Sequence, residues 1–417
     1  MIEILDPNKK GREAQDLETR LRQLVIGQEH AIVKIVEAYQ AFLTGMSPAG
    51  RPVGNFLFLG PTGSGKTRVV EATAEALLKN PDGLVKIDCA EYQHSHEIAK
   101  LIGSPPGYLG HRETHPLLNQ EALDRQHTED LKLSLVLFDE IEKASDSLWN
   151  LLLGILDKAT LTLGDNQRVD FSQSMIFMTS NLGAAEMNTL AEPRLGFHVA
   201  CSGDGASKAK LNGKITTTGI AAARRRFTPE FMNRLDHVVV FRSLGTPELR
   251  RIIDIELDIV QQRIGVAAQG NPFSIYVTAS AKEFLLSEGT DVRYGARPLK
   301  RAIERLLVHP LSNLMASGQI RRGDTIRVSH AGCTPPAVLA RDQSSASLGR
   351  WLRGGLTSPV RQLQNPMPGG ASINAAGVLA AFPHGNQPGN PTHRIGAAPC
   401  RNFGRRHRQL LNAQARI

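Results

Sequence analysis

Short apolar runs alternate with longer amphipathic stretches along the first two thirds of this chain. Asn55–Leu59, Val85–Asp88, Ser134–Phe138, Ser174–Thr179 and His237–Phe241 are brief and almost wholly apolar. Runs of that kind read as strands buried on both faces. Helical stretches such as Arg68–Leu78 and Ser147–Ala159 lie between them. The alternation predicts an α/β fold, a parallel sheet covered by helices on both faces. Upstream, Leu21–Phe42 has helical periodicity broken by Gly27, and a Gly/Pro-rich link (Gly45–Gly54) leads into the first strand.

From about Ser243 the pattern changes to helix, strand, helix, helix, strand. Thr246-Pro247-Glu248 opens a long helix through Ile264, with Pro247 where its missing N–H costs little. Ser274–Val277 and Thr325–Val328 read as strands of a second, smaller α-rich domain. Residues 187–219, rich in Gly, Ser, Lys and Thr, are expected to be a mobile insertion. The resulting division is 1–20, an extension; 21–242, the large domain; 243–330, the small domain; and 331–417, a tail.

Composition changes this picture mainly at the end of the chain. The net charge of +9 suggests nucleic acid at first glance, but residues 331–417 hold ten Arg, no Lys or Glu and one Asp (Asp342), which accounts for all of it. The rest is near neutral, so charge gives no support to a basic groove on the folded part. The tail also holds nine Pro and eleven Gly in 87 residues. Two readings stay open for it: a disordered extension, or an out-of-frame translation of GC-rich DNA. RNA binding by Arg405, Arg406 and Arg408 is a third and weaker one. Four scattered cysteines with no C-x-x-C argue against a zinc site or a disulfide framework and suit a reducing cytoplasmic setting. There is no apolar run long enough to span a membrane, and the polar N-terminus is unlike a secretory signal.

The chemistry begins at residues 60–67, GPTGSGKT, a complete phosphate-binding loop lying between a strand and a helix. Gly60, Gly63 and Gly65 let the backbone approach an anion. The N–H groups of Gly60, Thr62, Gly63, Ser64 and Gly65, with Pro61 shaping the turn, would wrap a polyphosphate. Lys66 would reach its β- and γ-phosphates, and Thr67 would ligate Mg²⁺. Leu135–Glu140 (LVLFDE) delivers two carboxylates at the end of a strand, where ligands sit in open α/β sheets. Asp139 would hold Mg²⁺, and Glu140 would act as general base on the attacking water. Asn181, after the fourth strand, could orient that water or could simply cap a helix. Read singly, Arg234 and Arg297 are ordinary surface arginines.

Taken in order, these segments resemble the AAA+ ATPases, and within them the second ATPase module of ClpB/ClpA-type Clp unfoldases. The matching stretches are Val25-Ile26-Gly27-Gln28, GPTGSGKT, GSPPGYLG (103–110), LVLFDEIEKA (135–144), MTSNLG (178–183), RRFTPEFMNRLD (225–236) and RYGARPLKR (293–301). The resemblance implies ATP as substrate, Val25 and Ile26 against the adenine, Asn181 as sensor 1 and Arg297 as sensor 2. It implies that Arg234 is an arginine finger reaching a neighbouring subunit's nucleotide, hence a ring, and in Clp proteins a hexamer. It also implies that Tyr108 grips unfolded or misfolded protein in a central pore. The loop departs from its relatives at His111-Arg112-Glu113-Thr114-His115, where a second aromatic, two acids and paired glycines are usual. The N-terminal domain, first ATPase module and coiled-coil middle domain of ClpB, and the zinc-binding start of ClpX, are not expected. Leu195-Gly196-Phe197 resembles the tripeptide by which ClpX and ClpA dock the ClpP peptidase, although a local apolar clamp also explains it.

The sequence thus predicts an ATP-dependent unfoldase or remodelling chaperone. Two other classes remain as alternatives: a nucleic-acid motor or loader, and a slow ATP-dependent assembly switch.

Overall fold

The computed structural model describes residues 6, 9–104, 116–191, 205–267, 273–290, 295–330 and 338–342. All of them fall within one compact unit, Met1–Ser347. Tyr108 and Leu195-Gly196-Phe197 lie outside the described residues.

Two helices come first, α1 (Arg12–Leu24) and α2 (Glu29–Leu43). The alternating part follows as β1 (Gly54–Leu59), α3 (Lys66–Leu78), β2 (Val85–Asp88), the short α4 (Ala99–Ile102) and α5 (Gln120–Asp124), β3 (Ser134–Asp139) and α6 (Asp146–Lys158). A small antiparallel hairpin, β4 (Thr160–Thr162) and β5 (Arg168–Asp170), precedes β6 (Ser174–Ser180). Then come α7 (Ala184–Ala191), α8 (Gly205–Arg226), α9 (Pro229–Met232) and β7 (His237–Val240).

The main sheet has the order β2-β3-β6-β1-β7, and every pairing is parallel. The two-residue side-chain period of a strand separates its apolar residues into two cores. Phe56, Phe58, Leu135, Leu137 and Phe177 pack on one face with α1, α2 and α3. Leu57, Leu59, Val136, Phe138, Ile176 and Met178 pack on the other with α6 and α8. Each fully buried Phe or Leu contributes about 1.5–3 kcal/mol of transfer free energy, so both layers help hold the sheet against its helices.

Three sequence expectations are corrected here. The stretch from Leu21 is indeed broken at Gly27, but the helix before the break begins earlier, at Arg12. Ala14, Leu17 and Leu21 are buried in the same core as β1, so a boundary at residue 20 cuts through α1. Gly27 adopts φ 78° between α1 and α2, which turns the chain where one continuous helix would have run on. Much of the expected mobile insertion 187–219 is helical, since α7 runs to Ala191 and α8 starts at Gly205.

The third correction concerns the smaller α-rich part. It consists of α10 (Thr246–Ala267), β8 (Ser274–Val277), α11 (Ala279–Gly289), α12 (Arg297–Ile303), α13 (His309–Ala316), β9 (Thr325–Ser329) and β10 (Val338–Asp342). A wider π-type turn, Glu304–Val308, joins α12 to α13; Pro310, without an N–H, cannot donate to the preceding turn. Leu249, Ile253, Leu285, Leu299, Leu307 and Ile326 belong to its separate core. β8 pairs parallel with β9, and β10 pairs antiparallel with β9. Residues 338–342 were expected to lack strand character, yet their backbone completes a three-stranded sheet. Pairing with β9 outweighs their Arg- and Asp-containing local sequence.

Candidate nucleotide-binding site

The strand order explains how the site is assembled. β6 lies between β1 and β3, so Asn181, just past the end of β6, sits between the phosphate loop after β1 and the acidic pair after β3. Lys66 is buried at the start of α3. Its ammonium donates to the carbonyls of Gly60 (2.7 Å) and Pro61 (3.0 Å) and to Asn181 Oδ1 (2.7 Å). Thr62 Oγ1 is 3.5 Å from the same Asn181 oxygen. The amide nitrogen of Asn181 faces Glu140 Oε1 at 3.5 Å. One side chain therefore bridges the loop lysine and the second acid of the strand.

Burial pushes the Lys66 ammonium down to about 8, because charge is costly away from water. Nearby Glu142, Asp139 and Glu140 oppose the shift, while Arg297 adds to it. Arg297, at the first position of α12, is thus felt electrostatically at the phosphate loop.

Thr67 Oγ1 lies 3.4 Å from both oxygens of Asp139, and Thr179 Oγ1 donates to Asp139 Oδ1. A hydroxyl beside a carboxylate is a hard-oxygen donor pair. It suits Mg²⁺, which binds through one or two such groups and keeps water and phosphate for the rest. Among the described residues there is no cluster of three or more His, Cys, Asp or Glu placed to hold a metal ion.

Glu140 adopts φ 57°, a left-handed conformation that costs a non-glycine residue about 1–3 kcal/mol. Its N–H donates to Thr179 Oγ1 (3.1 Å), and its carboxylate pairs with Lys143. Strain at this residue is held by the neighbouring strand, and strain of that kind collects at working sites.

Two glycines allow close backbone approaches at the phosphate loop, one within the large part and one from the small part. At Gly60 (φ 151°) a Cβ would fall 2.7 Å from the Phe241 carbonyl. At Gly295 (φ 59°) it would fall 2.5 Å from the Gly63 carbonyl, and the neighbouring Ala296 N–H donates to that carbonyl (3.1 Å). The start of α12 therefore rests directly on the phosphate loop.

Ile26 and Gln28 line a cavity of about 630 Å³, together with His30, Val240, Arg242 and Arg251. Gln28 is buried and ties the loop in place, donating to the carbonyls of Ser64 (3.0 Å) and Arg242 (3.0 Å). Val25 packs instead into the core shared with α1 and α2. Arg234 is elsewhere. Its carbonyl accepts from Asn55 Nδ2 (3.1 Å), at the opposite end of β1 from Gly60, about 16 Å away at 3.3 Å per residue. Its guanidinium pairs with Glu230 (3.0 Å) and Asp157 (3.7 Å).

Gln28, Thr179 and Glu142 were not selected from sequence as site residues. All three lie inside the quoted motifs. Glu142 Oε1 accepts the Asn181 N–H (3.0 Å), while its other oxygen is buried without a partner. The signal was proximity to better-known positions, which does not distinguish a supporting side chain from a solvated one.

A phosphate loop, a strand-end acid pair, a polar bridge between them and a helical lid seated on the loop define a P-loop ATPase of the AAA+ class. Residues 51–238 match the AAA domain (Cdc48 subfamily), and residues 244–328 match the C-terminal D2-small domain of ClpB protein. The chain belongs to the AAA+ ATPases of the Clp chaperone family. It is 38% identical over 318 residues to "Chaperone protein ClpB" of Bdellovibrio bacteriovorus, covering 76% of this chain and 34% of that protein. It is 38% identical over 325 residues to "Chaperone protein ClpC3, chloroplastic" of Oryza sativa, covering 78% and 33%. Among solved structures it is similar to the S. cerevisiae Hsp104:casein complex in its extended conformation, with TM-score 0.65 and 28% identity, covering 79% of this chain and 53% of that one. The chain spans about a third of the length of the curated relatives it matches.

Proposed function

We propose that this chain is an ATP-driven protein unfoldase or remodelling ATPase that works as a ring, a hexamer by analogy with Clp proteins. The observation that carries the reading is the convergence of Lys66, Thr67, Asp139, Glu140 and Asn181 on one phosphate loop against which the start of α12 is packed. Residues 12–242, with α1 included, act as the ATPase domain, and 243–342, with β10 included, act as the lid.

In this reading ATP lies along residues 60–67, with its base toward Ile26 and with Val25 supporting that residue from the core. Backbone N–H groups and Lys66 hold the phosphates. Thr67 and Asp139 would hold Mg²⁺, which would neutralise phosphate charge. Lys66 has to exchange its carbonyl partners for phosphate oxygens. Asn181 then keeps the lytic water in line, and Glu140 takes its proton. Arg297 reports the γ-phosphate to the lid. Arg234, too far from its own loop, reaches the neighbour's nucleotide. Tyr108 moves with the lid cycle and drags on a protein chain. On this reading the setting is the cytoplasm.

ATP turnover measured with and without casein tests the reading. Stimulation by casein, with Tyr108→Ala hydrolysing normally but failing to process it, is the expected result. Stimulation by DNA and not by casein would favour the nucleic-acid motor. Turnover too slow to sustain processing would favour the assembly switch.

A further inference from the structure

Between the acid turn and Arg234 runs a continuous set of contacts that the mechanism above does not use. Trp149 of α6 is nearly buried, and its indole N–H donates to the Ile141 carbonyl (3.0 Å). Arg226, the last residue of α8, lies over that ring with its guanidinium carbon 4.5 Å from the centroid. The same guanidinium donates to the Glu142 carbonyl (3.3 Å). Trp149 meets Phe227 edge-on at 5.5 Å, and Phe227 stacks on Phe231 at 5.1 Å. Phe227 and Phe231 are buried, and the Phe231 carbonyl accepts the Arg234 N–H (3.1 Å). At the other end, Glu142 holds the backbone of Asn181.

We infer that Trp149 and Arg226 are positioning residues for Arg234. They clamp the segment 226–234 to the turn that follows Asp139 and Glu140. The inference rests on the reading that Arg234 acts on a neighbouring subunit. Both clamps grip backbone carbonyls, of residues 141 and 142, so they follow the turn itself and not any one side chain on it. Glu142 ties the same turn to Asn181, which contacts Lys66. A displacement of the turn when the phosphate loop changes partners is therefore transmitted to the base of Arg234. A guanidinium that must meet a phosphate in the next subunit is sensitive to such a shift, since misplacement by an ångström can cost about a hundredfold in rate.

The test uses the full chain in mixed assemblies. Silent subunits carry Glu140→Gln, and increasing fractions of them are added to wild type while ATP turnover is followed. Silent subunits that also carry Arg234→Ala set the scale of a lost finger. Those carrying Arg226→Met, or Trp149→Phe, are expected to lower wild-type turnover at least halfway toward that scale, with their own nucleotide affinity unchanged. Arg226 is exposed, so its replacement does not threaten folding, and Phe at 149 keeps most of the packing. Slopes for both variants equal to the Glu140→Gln background, with Arg234→Ala still effective, would overturn the inference. So would an effect of Arg226→Met alone, which would mean that Arg226 itself touches the neighbour. If Arg234→Ala also matches the background, the trans reading of Arg234 fails instead.

Discussion

Lys66 shows how burial and ligand charge pull against each other at a single side chain. Its ammonium is held down to about 8, with burial the largest cause. A polyphosphate favours the charged form, so binding requires the proton to be present. Below pH 8 the free protein already carries it, and affinity should vary little with Lys66. Above pH 8 the proton must be taken up on binding, and affinity should fall, at most about tenfold per pH unit. Titrating ATP affinity from pH 7 to 9.5 checks this. Lys66→Arg, which stays charged, should show a flatter profile, and a wild-type curve flat through pH 9 would contradict the expectation. Asn181, Thr67, Asp139 and Glu140 were all legible as candidates from their motifs, and the fold brings them together. That the Asn181 oxygen accepts from the loop lysine was not, because nothing in the local sequence says which strand lies beside which.

At the level of elements, two contacts invite direct tests. The start of α12 meets the phosphate loop so closely that a methyl at Gly295 would fall 2.5 Å from a backbone oxygen. Gly295 also holds φ 59°, a conformation that costs alanine about 1 kcal/mol or more. Gly295→Ala should therefore reduce ATP turnover by about tenfold or more through misplaced geometry, with helix content unchanged by circular dichroism; wild-type turnover would contradict the close seating. The second contact is β10. Ending the chain after Ser329 removes the strand that pairs along β9 and uncovers an edge. That truncation should melt about a degree or two lower than one ending after Gln343, since a loss of about 1 kcal/mol corresponds to roughly 1–2 °C in a chain of more than 300 residues. Equal melting temperatures would mean that the third strand adds nothing. The helical and strand segments of both parts were visible in their periodicity. β10 was missed because its stability comes from a partner strand and not from its own residues, and the first turns of α1 were missed because Arg12–Arg20 is largely polar, with only Ala14 and Leu17 buried in the core.

For the whole molecule, the decisive geometry is the length of β1, which separates Arg234 from the loop of its own subunit. On the proposed reading, Arg234 would contribute only in an assembly. Arg234→Ala should bind ATP normally yet lose turnover by about 10³–10⁵-fold. Wild-type turnover per subunit should rise with protein concentration as rings form. Full activity of a dilute monomer, checked by light scattering alongside the assay, would contradict both.

The sequence by itself determined which candidate groups the chain carries and in what order: a glycine loop with its lysine, two acids at a strand end, an amide, and two arginines at motif-defined positions. It also determined the alternation that makes a parallel sheet, since buried strands cannot hide their composition. Only the tertiary structure decided that β6 enters between β1 and β3, that α12 rests on the phosphate loop, and that Arg234 lies at the far end of its own strand. Those facts depend on which surfaces meet after the chain folds, and apolar strands of similar composition can be ordered in many ways without altering the local pattern that betrays them.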